Sequence, residues 1–300
     1  MEIMFIAFIS AITPVFLIAA LGFFLARKTD YLEHPGLAML SSQIALPALV
    51  FTSVTQMKVP VKEMGYLMGV TAICLGLGAS LVAIICKLLK TSPRFYLSTL
   101  VNPNTGNLGI PLVFALLGPE ALASAVIIST TVTVSHWTLG TTAMSGQYNW
   151  RSLVTNMPLL ALLSGAIVVS MELTIPTPIT RTLDSISGIA IPIMVMLLGR
   201  SLARLKIGDA RQLGIIAGLS IYRPLSGFLI AWLVVSLVAI DTTSALSLLI
   251  QMSMPVAVMS YVLTVRYSGP VDRIAALTIT SIPVSLLILV IIYNFQSALL

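Results

Sequence analysis

Charge is what this 300-residue chain has least of: 16 lysines and arginines and 10 aspartates and glutamates, 9% of the residues. A soluble domain carries roughly a quarter of its residues charged, because its surface must face water. So few ionic groups cannot cover a 32 kDa particle. Cysteine is equally scarce. Cys74 and Cys86 fall in one apolar run, where helical rise holds them about 18 Å apart, beyond disulfide reach. They read as small core residues. No low-complexity tract or long linker interrupts the chain, and no segment could form a soluble domain able to hold a nucleotide. Neither an HExxH motif nor a pair of intramembrane aspartates is present, so the expectation is a protein that is not an enzyme and has no metal site and no cofactor.

What is present is apolar: 58% hydrophobic residues and a mean hydropathy of +1.05. A spanning β-barrel would read as ~10-residue alternating segments, and the long unbroken runs contradict that. A spanning helix needs about 20 apolar residues. The reading is an all-α polytopic membrane protein of ten transmembrane helices. They are placed near 3–26, 35–56, 65–88, 95–117, 120–145, 152–173, 178–202, 212–237, 243–266 and 272–296. The first follows Met1-Glu2 with no basic region ahead of it, so it is expected to persist as a span rather than be cleaved as a signal.

The connections hold most of the charge, and its distribution sets an orientation. Loops after the odd-numbered spans contain Arg27, Lys28, Lys87, Lys90, Arg94, Arg151, Arg200, Arg204, Lys206, Arg211, Arg266 and Arg273. The opposite side has Lys58, Lys62 and Arg181. Twelve against three places both termini outside by the positive-inside rule. The same bias accounts for a pI of 9.5 without nucleic acid as a partner.

Prolines recur at a fixed offset. Pro14 and Pro158, Pro47 and Pro192, and Pro111 and Pro255 are each roughly 145 positions apart, in similar local contexts. Gly118-Pro119 is echoed by Gly269-Pro270 after a short insertion. Two halves, 1–146 and 147–300, would each hold five spans, and an odd number forces opposite orientations. Inverted repeats of this kind characterise secondary transporters, with the site near the bilayer midplane at broken helices.

The fourth span contains such a break. Asn102-Pro103-Asn104-Thr105-Gly106-Asn107-Leu108-Gly109-Ile110-Pro111 has two prolines, two glycines and three asparagines. Proline removes a donor and crowds the preceding turn, and amides are costly in hydrocarbon. Such backbone survives at membrane depth only inside protein or against water. Two half-helices meeting at a polar point are expected, with Asn102, Asn104, Thr105 and Asn107 as ligands and Pro103, Gly106, Gly109 and Pro111 as the hinge. The alternative is a kinked helix with asparagines bridging neighbours. The ninth span offers a counterpart around Gln251, Ser253, Pro255, Ser260 and Tyr261, read as a milder break. Half-helix N-termini attract anions such as carboxylates.

Arg223 lies about 16 Å into the eighth span, roughly half the hydrocarbon thickness. The carboxylates all lie in or near loops, so Arg223 has no obvious acidic partner. It reads either as an attractor for an anionic substrate or as a side chain that snorkels or binds half-helix carbonyls. His136 is the buried residue able to carry a proton near neutrality, or else a packed, hydrogen-bonded core histidine. Gln43, shortly before Pro47, is a candidate polar wall of the cavity or a contact between helices.

The segment from Asn102 to Pro111, with its Pro103-Asn104-Thr105 and Gly109-Ile110-Pro111 elements, resembles the crossover of the auxin efflux carrier family, which includes plant PIN carriers and bacterial organic-acid carriers. Pro255, Tyr267 to Pro270, Pro14, Gly22, Leu46-Pro47 and Gly199 extend the resemblance over essentially the whole chain. The resemblance implies two inverted five-helix repeats. Helices 1, 2, 6 and 7 would form a scaffold, 3–5 and 8–10 a moving transport domain, with crossed broken helices 4 and 9. It further implies a homodimer in the plasma membrane, the inner membrane of a bacterium, moving a small organic anion by elevator-type alternating access. Sodium or proton coupling is left open. The short 146–151 connection departs from the long loop of many plant members, and Ser260 replaces a residue that is often proline there. A compact microbial-type carrier is expected, with auxin itself set aside as substrate. Two rival readings are a sodium-coupled bile-acid-type symporter of the same architecture and a membrane sensor that moves no solute.

Overall fold

The computed structural model describes residues 2–148, 150–204 and 213–299, and the described residues are helical throughout, apart from turns and short unwound stretches. Helix α1 (Glu2–Lys28) ends on Arg27 and Lys28, which complement its terminal carbonyls. Helix α2 (Pro35–Leu40) begins where the His34 ring accepts from the Gly36 N–H, and it passes through a π-helical turn, Ser41–Ala45, into α3 (Leu46–Gln56). Next come α4 (Val61–Leu88), the short α5 (Tyr96–Val101), a π-helical turn Thr105–Gly109, and α6 (Ile110–Leu117). Gly118, at φ 85°, closes α6 in a conformation that favours glycine. Helix α7 (Leu122–Ser135) continues through a third π-helical turn, His136–Gly140, into α8 (Thr141–Ser145).

The second half holds α9 (Arg151–Val154), α10 (Met157–Ser170), α11 (Thr177–Gly188), α12 (Ala190–Arg204), α13 (Leu213–Leu237), α14 (Thr242–Met252), α15 (Val258–Arg266) and α16 (Val271–Leu299). Among the described residues, seven helical stretches are long and apolar enough to cross a membrane. Three expected spans take another form. Those near 95–117 and 243–266 are interrupted, and the one near 152–173 narrows to α10, whose first turn is capped by the Asn156 carboxamide accepting from Leu159 N–H at 3.0 Å. The outward faces carry Leu17, Phe24, Ile84, Ile167 and Trp232, all exposed, a belt that suits lipid and not water.

Packing divides into two neighbourhoods. In one, α1 lies along α12, and α3 lies against α10 and α11. Glycine permits the first contact: a Cβ on Gly199 would overlap the Ala19 carbonyl, and one on Gly22 the Met196 backbone. Close approach through small residues is the usual way helices gain dispersion contact where lipid removes the hydrophobic drive. In the other, α4, α5, α7, α13, α14 and α16 pack together. One continuous core, which includes the buried free thiols Cys74 and Cys86, runs through both neighbourhoods.

Some expectations need correction. The second break is the longer one, spanning residues 253–257, against 102–104 in the first. Pro255 alone supplies no N–H, but extended partners hold its neighbours open as well. Pro255 shares its setting with Pro103 and not with Pro111, which occupies the first turn of α6. Asp184, expected in or near a loop, lies inside α11, where it accepts from Gln56 Nε2 at 2.5 Å. Lys206, Asp209 and Arg211 lie outside the described residues.

Candidate functional site

Helix α5 stops because Pro103 disfavours helical backbone in the residue before it, and Asn102 is extended at φ −90°, ψ 114°. The unwound strand then meets the second break directly. Pro103 and Val256 form an antiparallel bridge, and the Asn104 N–H donates to the Pro255 carbonyl at 3.0 Å. The Val256 N–H donates to Ser281 Oγ of α16 at 3.1 Å. Backbone groups that helix would have satisfied are thus satisfied across the break, as burial demands.

Beyond the bridge each chain turns back into helix. The Asn104 carbonyl accepts from the Gly109 N–H at 3.0 Å, closing the π-helical turn, and Pro111 opens α6 where its missing N–H costs nothing. On the other side Ser253 Oγ donates to the Ile250 carbonyl at 2.7 Å, and α15 restarts at Val258. Two carbonyl ends, of α5 and α14, and two N–H ends, of α6 with its leading turn and of α15, therefore converge on one buried point. π-Turns of this type cluster at functional sites, and two of the three lie in this neighbourhood.

The polar side chains fall into two groups. In the first, the Asn102 amide is fully buried, accepting from Ser135 Oγ at 2.8 Å and donating to Ser98 Oγ at 3.3 Å. Ser98 Oγ also faces His136 Nδ1 at 3.4 Å. In the second, Gln251 donates to the Ala125 carbonyl at 2.9 Å while its Oε1 rests against the bare Cα of Gly109. Arg223 is 1% exposed and its Nη1 donates to the Met252 carbonyl, the last of α14, at 3.1 Å. Nε and Nη2 of Arg223, Oε1 of Gln251, and the hydroxyls of Ser247, Ser260 and Thr130 are buried with no protein partner. Among the described residues Arg223 is the fully charged side chain in the buried set, and no carboxylate pairs with it.

The structure brings Asn102, Pro103, Asn104, Thr105, Ser253, Pro255 and Ser260 into the buried crossing, with Asn107 and Gly106 half-buried beside it. Arg223 takes the carbonyl-binding position, one of its two expected settings. His136 is buried and hydrogen-bonded within the Asn102 group. Gln43 does not join them. It is exposed on the turn Ser41–Ala45, which packs against α10, α11 and α12, so the expected polar wall is not found there. Sequence reasoning overlooked Ser98, Ser135, Ser281 and Gly227, and read Gln251 only as part of the break. Ser98 and Gly227 each stand four residues from a chosen residue, on the same helix face, and that spacing was the available signal.

These features define a polytopic helical membrane protein with two broken helices joined inside it. The family model described as membrane transport protein matches residues 7–149 and 142–293, and the chain belongs to this family, that of the auxin efflux carriers. It is also similar to "Uncharacterized transporter MJ1031" of Methanocaldococcus jannaschii, with 29% identity over 195 residues. That match covers 62% of this chain and 63% of the relative, so the chain spans somewhat less than two thirds of its length.

Proposed function

We propose that this membrane transporter moves a small organic anion, a carboxylate, across a bacterial inner membrane by elevator-type alternating access. The observation that carries the reading is Arg223: a buried guanidinium with two free donors, no acid beside it, and a direct bond to the broken helix. An uncompensated buried cation is strongly unfavourable, and a bound carboxylate supplies the missing charge. Asn104, Thr105, Asn107, Ser253 and Ser260 complete the ligand set, together with the N–H ends of the half-helices.

The seven long helices, α10 and the two interrupted helices together make ten passes in two inverted halves, 1–146 and 147–300. The neighbourhood of α1, α3, α10, α11 and α12 is the scaffold, through which two copies form a homodimer. The helices α4–α8 and α13–α16 move as the transport domain. Both termini face outward. His136, bonded through Ser98 to Asn102, is the group through which proton coupling would act.

The test is flux of labelled mono- and dicarboxylates into liposomes containing the purified protein. Saturable uptake that Arg223→Gln abolishes, with the variant still folded, is the expected result. Carboxylate uptake indistinguishable from that of empty liposomes would refute it and favour a sensor. Uptake that needs a sodium gradient would favour the bile-acid-type symporter.

A further inference from the structure

Helices α3 and α10 pack against each other and end alike. In each, a charged residue takes the left-handed backbone that favours glycine, Lys58 at φ 51° and Glu172 at φ 52°. The N–H that follows reaches back to the last turn, from Val59 to the Val54 carbonyl at 3.1 Å and from Leu173 to the Val168 carbonyl at 3.0 Å. Earlier along the pair the contact is close, since a Cβ on Gly165 would overlap the Val54 side chain. At their ends the helices part, and together with α11 they line an open cavity of about 730 Å³. Helix α11 is tied to this end of α3 by the 2.5 Å bond from Gln56 Nε2 to Asp184. Lys58 stands two residues beyond the apolar stretch Pro35–Gln56, which puts the cavity where a span leaves hydrocarbon for the headgroup layer.

The lining has two characters. Phe51, Val169, Leu173 and Leu183 give it an apolar wall, whereas Lys58 and Glu172 give it one cation and one anion. Among the described residues neither charge belongs to an ion pair, so both are left for a ligand. The remaining polar atoms favour a donor. Thr52 and Thr55 give their hydroxyl hydrogens to the carbonyls of Ala48 and Phe51, at 2.9 and 2.8 Å, which leaves their oxygens as acceptors. A purely anionic headgroup meets Lys58 but repels Glu172. A headgroup with its own N–H donors meets Glu172 and the threonine oxygens as well. From this complementarity we propose that the cavity binds a zwitterionic phospholipid with a primary ammonium, phosphatidylethanolamine. Lys58 takes the phosphate, Glu172 takes the ammonium, and an acyl chain lies along the apolar wall. Phosphatidylcholine keeps the phosphate contact but has no N–H to donate. The volume falls in the ordinary range for sites that hold a small ligand or part of a larger one. The site lies away from the crossing, so the proposal stands apart from the transport reading. A lipid held there ties α3, α10 and α11 together at one end.

The experiment measures the melting temperature of delipidated protein in detergent with added phosphatidylethanolamine, phosphatidylcholine, phosphatidylglycerol or soluble phosphoethanolamine. Phosphatidylethanolamine should raise it by a few degrees, because a ligand of the folded state stabilises by mass action. The other two lipids should raise it less, and the soluble headgroup at the same concentration should leave it unchanged. Glu172→Gln should bring the phosphatidylethanolamine shift down to that of phosphatidylcholine. Lys58→Gln should shrink both shifts, each read against the variant's own melting temperature without lipid. Both side chains are exposed, so these variants keep the fold. Equal shifts by the three lipids on the unmodified protein would overturn the proposal, as would a full phosphatidylethanolamine shift in both variants. A full shift by soluble phosphoethanolamine would overturn the assignment to lipid. A disulfide-linked dimer of Glu172→Cys formed in the presence of phosphatidylethanolamine would place a second copy in the cavity and overturn it too.

Discussion

Asn102 uses both ends of its amide, with Ser135 on one side and Ser98 on the other. Asn102 and Ser98 are fully buried and Ser135 half-buried, so deleting the amide takes a partner from both hydroxyls and leaves Ser98 with His136 alone. An unsatisfied buried group costs about 1–3 kcal/mol. Asn102→Ala should therefore lower the melting temperature clearly, and Ser135→Ala, which removes one bond, should lower it less. Thermal unfolding monitored by circular dichroism measures the order, and equal or reversed effects would refute this account of the network. Asn102 and Arg223 were legible in the sequence because a polar residue in an apolar run is conspicuous. Ser98, Ser135 and Ser281 were not. A serine in a membrane helix ordinarily returns its hydroxyl to its own backbone, as Ser42, Ser80 and Ser281 do here, and only the fold distinguishes those that also bridge helices, as Ser281 does to Val256.

At the scale of elements, proline and glycine announced both interruptions, and the helices on either side begin and end close to where the apolar runs do. The length of the second break was not legible, because it is fixed by the pairing of Val256 with Pro103 and Ser281, partners distant in sequence. The π-helical turns were equally hidden, since no residue type demands one. Glycine roles divide in the same way. Gly199 abuts the Ala19 backbone, whereas a Cβ on Gly76 meets nothing within 4 Å. Gly199→Ala should cost on the order of 1–3 kcal/mol by overpacking the contact between α1 and α12, while Gly76→Ala should be neutral or slightly stabilising through helix propensity. Comparable losses for the two in a denaturant titration would contradict the close contact. A second tie joins the end of α12 to the turn that follows α1. Glu33 Oε1 accepts from Arg204 Nε at 2.8 Å, and its Oε2 lies 3.3 Å from Arg200 Nη2. The Arg204 hydrogen bond, helped by the nearby Arg200 charge, holds the Glu33 carboxyl below its ordinary value of 4.5. A lowered folded-state pKa means the stabilisation is complete above that ordinary value and is lost as pH falls through the lower one. The stability difference between the unmodified protein and Glu33→Gln should therefore be constant near neutrality and close in acid below about pH 4.5. A gap that persists unchanged at pH 3 would show that Glu33 acts by packing and not by charge.

For the whole molecule, membership of the transporter family and the separation of two packing neighbourhoods bear on one question: what moves. The neighbourhoods share one buried core and touch at several places, where α1 meets α6 and α16, where α3 and α10 meet α7, and where α12 meets the turn Thr105–Gly109. The broken helices are bonded to each other, to α16 through Ser281, and to α13 through Arg223. These bonds would have to break if the crossing itself opened and closed. They survive intact if the whole group α4–α8 and α13–α16 slides as one body against α1, α3, α10, α11 and α12. On the proposed elevator reading these bonds are kept, and local gating is the alternative that would break them. A cysteine pair engineered across the contact between α1 and α6 tests this, since the native Cys74 and Cys86 are buried away from the oxidant. Oxidation should stop flux in liposomes, and reduction should restore it. A cross-link between α14 and α16, inside the proposed moving body, should leave flux intact under the same oxidation. Continued flux with the first link complete, or arrest by the second, would mean that the crossing moves internally and that the elevator description is wrong.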